Sequence, residues 1–89
     1  MEVINDIKGS RFVLNVEEDE IYVMYAEEKT TIELYSTYTP PKLRGRGLAA
    51  IVVKAGFDYA KEKNLKVIPN CWYVREFAEK YKEYEEMLK

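Results

Sequence analysis

The chain's 89 residues, 47% hydrophobic and 34% charged, make one folded domain, expected to span 1–89, with a thin core. A formal net charge of −2 weighs against a nucleic-acid partner, because affinity for a phosphate backbone needs many cations. No apolar run nears the ~20 residues that cross a bilayer, "MEVINDIKGS" has no signal-peptide pattern, and one cysteine cannot form an internal disulfide, so a reducing cytosol is expected.

In chain order, "SRFVLNVEEDEIYVMYAEE" predicts a hairpin. Phe12, Leu14 and Val16 alternate with Arg11, Val13 and Asn15, and Ile21, Val23 and Tyr25 alternate with Tyr22, Met24 and Ala26. The acidic Glu17-Glu18-Asp19-Glu20 between them is the expected turn. "TTIELYSTYT" is a third strand, entered through Glu27-Glu28-Lys29 and stopped by Pro40 and Pro41, which cannot donate to a ladder. Three strands with short connections imply an antiparallel meander. From about Gly45 to Lys63 the period becomes helical, with Leu48, Ile51, Val52, Ala55 and Tyr59 as the apolar stripe. Gly56 inside this helix implies close packing on the sheet, and Asn64 marks its C-terminal cap. "LKVIP" is a fourth strand, parallel to the third because a crossover helix joins them. A terminal helix follows Pro69, with Val74, Phe77, Ala78, Tyr81, Tyr84 and Leu88 inward. The order βββαβα reads as an α+β domain, a helix layer sandwiched on a sheet.

The chemistry is narrowed by absences. With no histidine and one cysteine, Ser-His-Asp and Cys-His catalysis, histidine-ligated zinc and four-cysteine zinc are all excluded, and no metal is expected. The densest positive charge, Arg44-Gly45-Arg46-Gly47-Leu48-Ala49, falls where a strand becomes a helix. Helix N-termini carry unpaired amides and a partial positive charge, and glycines let a ligand reach the backbone. These features fit a phosphate or pyrophosphate. The residues match neither GxxxxGK-Ser/Thr nor a full GxGxxG, so neither a P-loop nor a dinucleotide fold is expected.

Arg44-x-x-Gly47-x-Ala49 resembles the Gln/Arg-x-x-Gly-x-Gly/Ala motif of GNAT-type N-acetyltransferases. "TYTPPKLRGRGLA" at 37–49 and "NLKVIPNCWYV" at 64–74 further resemble a small single-domain subgroup of that superfamily. The resemblance implies that acetyl-coenzyme A is the co-substrate and an amine the acceptor, with strands three and four splayed around the pantetheine. It implies Thr37, Tyr38 and Thr39 along the pantetheine, the amides of the Gly45, Arg46, Gly47, Leu48 and Ala49 turn on the pyrophosphate, and the Arg44 and Arg46 side chains flanking it. Asn70 and Arg75 belong to the same expected cofactor set. Cys71 is placed near the thioester, as an acyl carrier or as pocket lining, and Tyr81 is the expected proton donor, with Tyr73 and Tyr84 as other candidates. Glu33, Glu76 and Glu79 are candidate bases. The subgroup's histidines are replaced here by Ser36 and Tyr81, so a histidine-assisted route is closed. The alternatives are a non-catalytic coenzyme A-binding protein, or an interaction module that meets nucleic acid or protein through Lys42, Arg44 and Arg46. The expected state is a monomer or weak homodimer.

Overall fold

The computed structural model describes residues 2–89. Five strands form one sheet in sequential order: β1 (Val3–Asp6), β2 (Arg11–Val16), β3 (Asp19–Glu27), β4 (Thr31–Tyr38) and β5 (Lys66–Pro69). The β1–β4 pairs are antiparallel, and β5 lies parallel to β4. The expected hairpin, third strand and parallel fourth strand are thus β2–β3, β4 and β5. The meander is one strand longer than expected, because Val3–Asp6 pairs with Arg11–Leu14. The hairpin turn is also tighter. Asp19 and Glu20 pair with Val16 and Asn15, which leaves Glu17 and Glu18 to turn, with Glu17 left-handed at φ 58°. Arg11 explains why acids are tolerated in this strand: it binds Asp6 at 3.0 Å and Glu20 at 2.9 Å.

A single 3-10 turn, Pro41–Leu43, leads to α1 (Leu48–Glu62). The helix starts three residues later than the sequence pattern suggests, because Gly45 and Gly47 adopt left-handed φ of 84° and 73° and form the turn instead. Asn64 takes φ 59° just past the helix. The amides of Asn64 and Leu65 return to the carbonyls of Lys61 (3.2 Å) and Ala60 (2.8 Å), a Schellman closure.

The core lies between α1 and one face of the sheet. Leu48, Val52, Val53, Gly56, Phe57 and Ala60 are the buried positions of α1. The expected stripe was rotated: Ile51, Ala55 and Tyr59 are its half-buried flank. The reason is that α1 is covered on two sides. Phe57 meets Phe77 and Tyr84 across a second helix layer, at ring distances of 5.8 and 5.2 Å. Tyr59 instead leans on Phe12 at 5.5 Å. Gly56 packs on the sheet as expected, since a Cβ there would stand 3.3 Å from Leu34 Cδ1.

The single terminal helix is two pieces, α2 (Trp72–Glu79) and α3 (Lys82–Glu85). The chain breaks at Tyr81, whose φ of −132° is extended. The break seats Tyr84 under α1, where its hydroxyl donates to Asp58 at 2.7 Å. It also brings Leu88 beside Val67 as an isolated parallel bridge. No helix among the described residues is long and apolar enough to cross a membrane.

Candidate functional site

The cleft is set by where β5 stops. The parallel register pairs Thr31–Leu34 with Lys66–Pro69 and ends there. β4 continues to Tyr38, paired on its other side with β3 through Tyr22↔Tyr38 and Val23↔Thr37. A register shift beside Tyr25 and Leu34 marks the same point, and such a bulge bends a strand and re-aims its side chains. Past the bulge, β4 has no β5 partner, and the chain after Pro69 turns away into α2.

The loop above this opening is held at three points. Leu43 is buried. Lys42 Nζ lies 3.0 Å from an Asp19 carboxylate oxygen on β3, which raises the Lys42 pKa. Arg44 Nε donates to the Thr39 carbonyl at 2.9 Å. So the cation-rich stretch read from the sequence is partly committed within the fold: Lys42 supports the loop, and Arg44 ties it to the end of β4. The α1 N-terminus has no side-chain cap and no acid in its first turn. Its first amides are therefore donors without an intrahelical partner. No atom lies within 4 Å of where a Cβ would stand on Gly45 or Gly47, so the space over the turn is open.

Two adjoining cavities meet here. One, of about 240 Å³, is lined by Thr39, Leu43, Arg44, Gly45, Gly47, Leu48, Ala49 and Tyr73. The other, of about 490 Å³, is lined by Thr37, Tyr38, Thr39, Arg44, Ala49, Trp72 and Tyr73. Eight of the sequence-predicted residues are thereby brought together: Thr37, Tyr38, Thr39, Arg44, Gly45, Gly47, Leu48 and Ala49. Cys71 sits half-buried at their edge, its Sγ 3.8 Å from Thr37 Oγ1.

The others stand apart from the two cavities. Arg46 and Arg75 are exposed and line neither. The Asn70 side chain donates to Glu33 at 2.8 Å, and its backbone amide goes to the Leu34 carbonyl at 3.1 Å. Asn70 thus closes the last parallel pair of the sheet. Tyr81 lines a different cavity, with Phe77 and Tyr84. Of the three candidate tyrosines only Tyr73 reaches the cleft. Burial, then the charge of Glu76, raises its pKa, so its phenol is held in the proton-bearing form. Trp72, 75% exposed at the cleft rim, and Leu43 were not singled out from sequence. Their signal was positional: Trp72 and Tyr73 open α2 where β5 leaves the sheet, so they face the ground that β5 vacates. Among the described residues, no group of three or more Cys, Asp or Glu side chains is placed to hold a metal ion.

A family model described as GCN5-related N-acetyl-transferase matches residues 11–87. The chain is also similar to Protein NATD1 of several vertebrates. It is 38% identical to that of Xenopus tropicalis over 50 residues, covering 56% of this chain and 46% of the relative. It is 33% identical to that of Danio rerio over 81 residues, covering 88% of this chain and 74% of the relative. The Gallus gallus protein is 32% identical over 81 residues, with the same two coverages of 88% and 74%. The matched part is thus about half the length of the Xenopus tropicalis protein and about three quarters of the other two.

Proposed function

The chain belongs to the GCN5-related N-acetyltransferase family, and on that premise we propose that it binds acetyl-coenzyme A and transfers the acetyl group to an amine. The observation that carries this reading is the uncapped N-terminus of α1 behind two left-handed glycines, opening on a strand edge that has lost its partner. The amides of that turn hold the pyrophosphate, and the α1 dipole adds to the attraction. The unpaired edge of β4 at Thr37–Thr39 offers backbone groups to the pantetheine amides. A backbone N–H there polarises the thioester carbonyl, as an oxyanion donor does.

The neutral acceptor amine attacks the thioester carbon to form a tetrahedral oxyanion, the nitrogen loses its proton to water or a carboxylate, and collapse of the oxyanion restores the carbonyl as the C–S bond breaks. Tyr73, protonated and beside the cleft, supplies the proton to the leaving thiolate. The acetyl donor is a substrate of this chemistry, and no metal takes part in the scheme. A second reading is favoured by the Cys71–Thr37 contact of 3.8 Å: the Cys71 sulfur takes the acetyl group first, its proton leaves with coenzyme A, and the group then passes to the amine. An acetyl adduct seen by mass spectrometry in the parent and lost in Cys71→Ser supports that route. Its absence leaves direct transfer.

Titration calorimetry with acetyl-coenzyme A and coenzyme A tests the main reading, and no heat at millimolar ligand would sink it. Gly47→Ala sharpens the test. A new methyl meets no protein atom within 4 Å, so beyond roughly 1 kcal/mol of backbone strain it obstructs the ligand itself. Affinity is expected to fall about tenfold or more, a loss of about 1.4 kcal/mol.

A further inference from the structure

Another cavity, of about 490 Å³, lies where the β2–β3 hairpin turns, lined by Glu17, Glu18, Asp19 and Glu20 and by Tyr22 and Tyr38. It shares a wall with the cleft, because Tyr38 lines both. The face it occupies follows from strand alternation. Ile21 and Val23 are buried in the core, so Tyr22 between them points to the opposite face of the sheet. Its cross-strand partner Tyr38 lies beside it there, with ring centroids 5.5 Å apart.

The charge of this cavity is only half compensated. Arg11 takes Glu20 at 2.9 Å, and Lys42 stands 3.0 Å from Asp19. Glu17 and Glu18 form no ion pair among the described residues. A second observation points the same way. Asp19 Oδ2 is buried, and despite the nearby Lys42 charge it accepts no hydrogen bond of regular geometry, so an acceptor is left over. The Lys42 side chain is 68% exposed and is free to give way. The rings add a surface suited to a cation. Tyr22 already has the Arg11 guanidinium 5.1 Å from its centroid, and Tyr38, 41% exposed, has surface to spare.

We infer that this cavity holds the distal ammonium of the acceptor, which makes the acceptor a linear polyamine. The inference rests on the acetyl-transfer reading and names the substrate class for it. On that reading the thioester lies against the Thr37–Thr39 edge of β4. The hairpin turn joins the two strands beyond β4, so it stands about 5–10 Å across the sheet at ~4.8 Å a strand. An amine with a single nitrogen cannot occupy both places. A methylene chain with an ammonium at the far end can, its stem crossing Tyr38 and its charge resting between Glu17 and Glu18. Carboxylates and rings match ammonium groups and methylenes, the two things a linear polyamine consists of. A hollow lined by one sign of charge also concentrates the opposite sign around it. The transfer is the one set out above, at the near nitrogen; the distal nitrogen keeps its proton throughout.

Titration calorimetry of the full chain with spermidine tests it, beside a thiol-release assay with acetyl-coenzyme A and three acceptors: spermidine, butylamine and a lysine-rich peptide. The parent is expected to bind spermidine, less tightly as salt rises, and to acetylate it about tenfold more efficiently than butylamine. The double variant Glu17→Gln/Glu18→Gln is expected to bind spermidine about tenfold more weakly, with KM for spermidine raised and kcat unchanged. Its acetyl-coenzyme A binding and its rate with butylamine should stay parental. Spermidine bound equally by parent and variant, or by neither, overturns the assignment. So does finding butylamine or the peptide the better acceptor, or no acetyl transferred to any of the three. Each of those results leaves the glycine turn as a cofactor site. Only failure to bind acetyl-coenzyme A removes that reading, and spermidine binding is measured without it.

Discussion

Tyr84 shows how one side chain ties two elements together. Its ring fills the space between Phe57 and Phe77, and its hydroxyl donates to Asp58 on α1. Burial, then the Asp58 hydrogen bond, pushes its pKa from 10.0 up to about 12. Tyr59, through its bond to Glu27 and then burial, is likewise pushed to about 12. The sign follows from linkage. Below pH 10 the phenols are neutral in both folded and unfolded chains, and their contribution is fully present. Between pH 10 and about 12 the unfolded chain ionises while the folded one does not, so stability falls. Melting temperature measured across that window should drop less steeply in Tyr84→Phe than in the parent; equal slopes would refute the assignment. At this scale the sequence shows the cleft unevenly. The turn itself is legible because glycines before a helix start leave the first amides accessible, but the sequence does not separate Arg44, which lines both cleft cavities, from Arg46, which lines neither. Tyr73, Tyr81 and Tyr84 are not separable from sequence, since any regular helix would put Phe77, Tyr81 and Tyr84 on one face.

Elements were legible where local chemistry dominates. Alternation marks β2 and β3, the paired prolines end β4, and Asn64 caps α1. What escaped depends on partners distant in sequence. Val3–Asp6 is four residues with two polar ones and becomes a strand only because β2 offers its edge. The break at Tyr81 has no glycine or proline to announce it, and burial of Tyr84 against α1 decides it. The buried face of α1 differs from the stripe its spacing predicts, because the helix is covered by both the sheet and α2. That double cover makes Gly56 a sensitive position. Alanine there gains about 1 kcal/mol of helix propensity, but its methyl would sit 3.3 Å from Leu34 Cδ1 and 3.6 Å from Phe12 Cδ2, both in the core. Gly56→Ala should fall within about 1 kcal/mol of the parent, and Gly56→Val should cost about 2 kcal/mol by overpacking. Urea unfolding midpoints check both; a valine variant as stable as the parent would mean the helix can lift off the sheet.

For the whole molecule, sequential strand order makes four of the five strands products of local hairpins. β5 alone arrives by a crossover and needs support on its outer side. The C-terminal residues give it: Val67 donates to the Met87 carbonyl at 2.9 Å, and Lys89 donates to the Val67 carbonyl at 2.9 Å. Open strand edges invite pairing with other chains, so removal of residues 87–89 should lower the melting temperature by about 5 °C and promote self-association, read by scanning calorimetry and light scattering. A truncated chain that melts like the parent and stays monomeric would show that β5 needs no cover.

The short register between β4 and β5, four residue pairs ending at Leu34 and Pro69, also bears on when the cleft comes into being. Local hairpins close faster than contacts spanning a long loop, so the meander assembles first and β5 docks last. A chain caught before that step has most of its sheet but lacks the β4–β5 opening proposed to hold the acetyl donor. Ligand occupancy then reports completion of folding, and it should slow the reverse step, adding about 2.7 kcal/mol at a hundredfold excess over Kd. Hydrogen exchange at the β5 amides should slow on adding coenzyme A, more than at β1 or β2. Uniform protection would mean that the last strand to arrive does not leave alone.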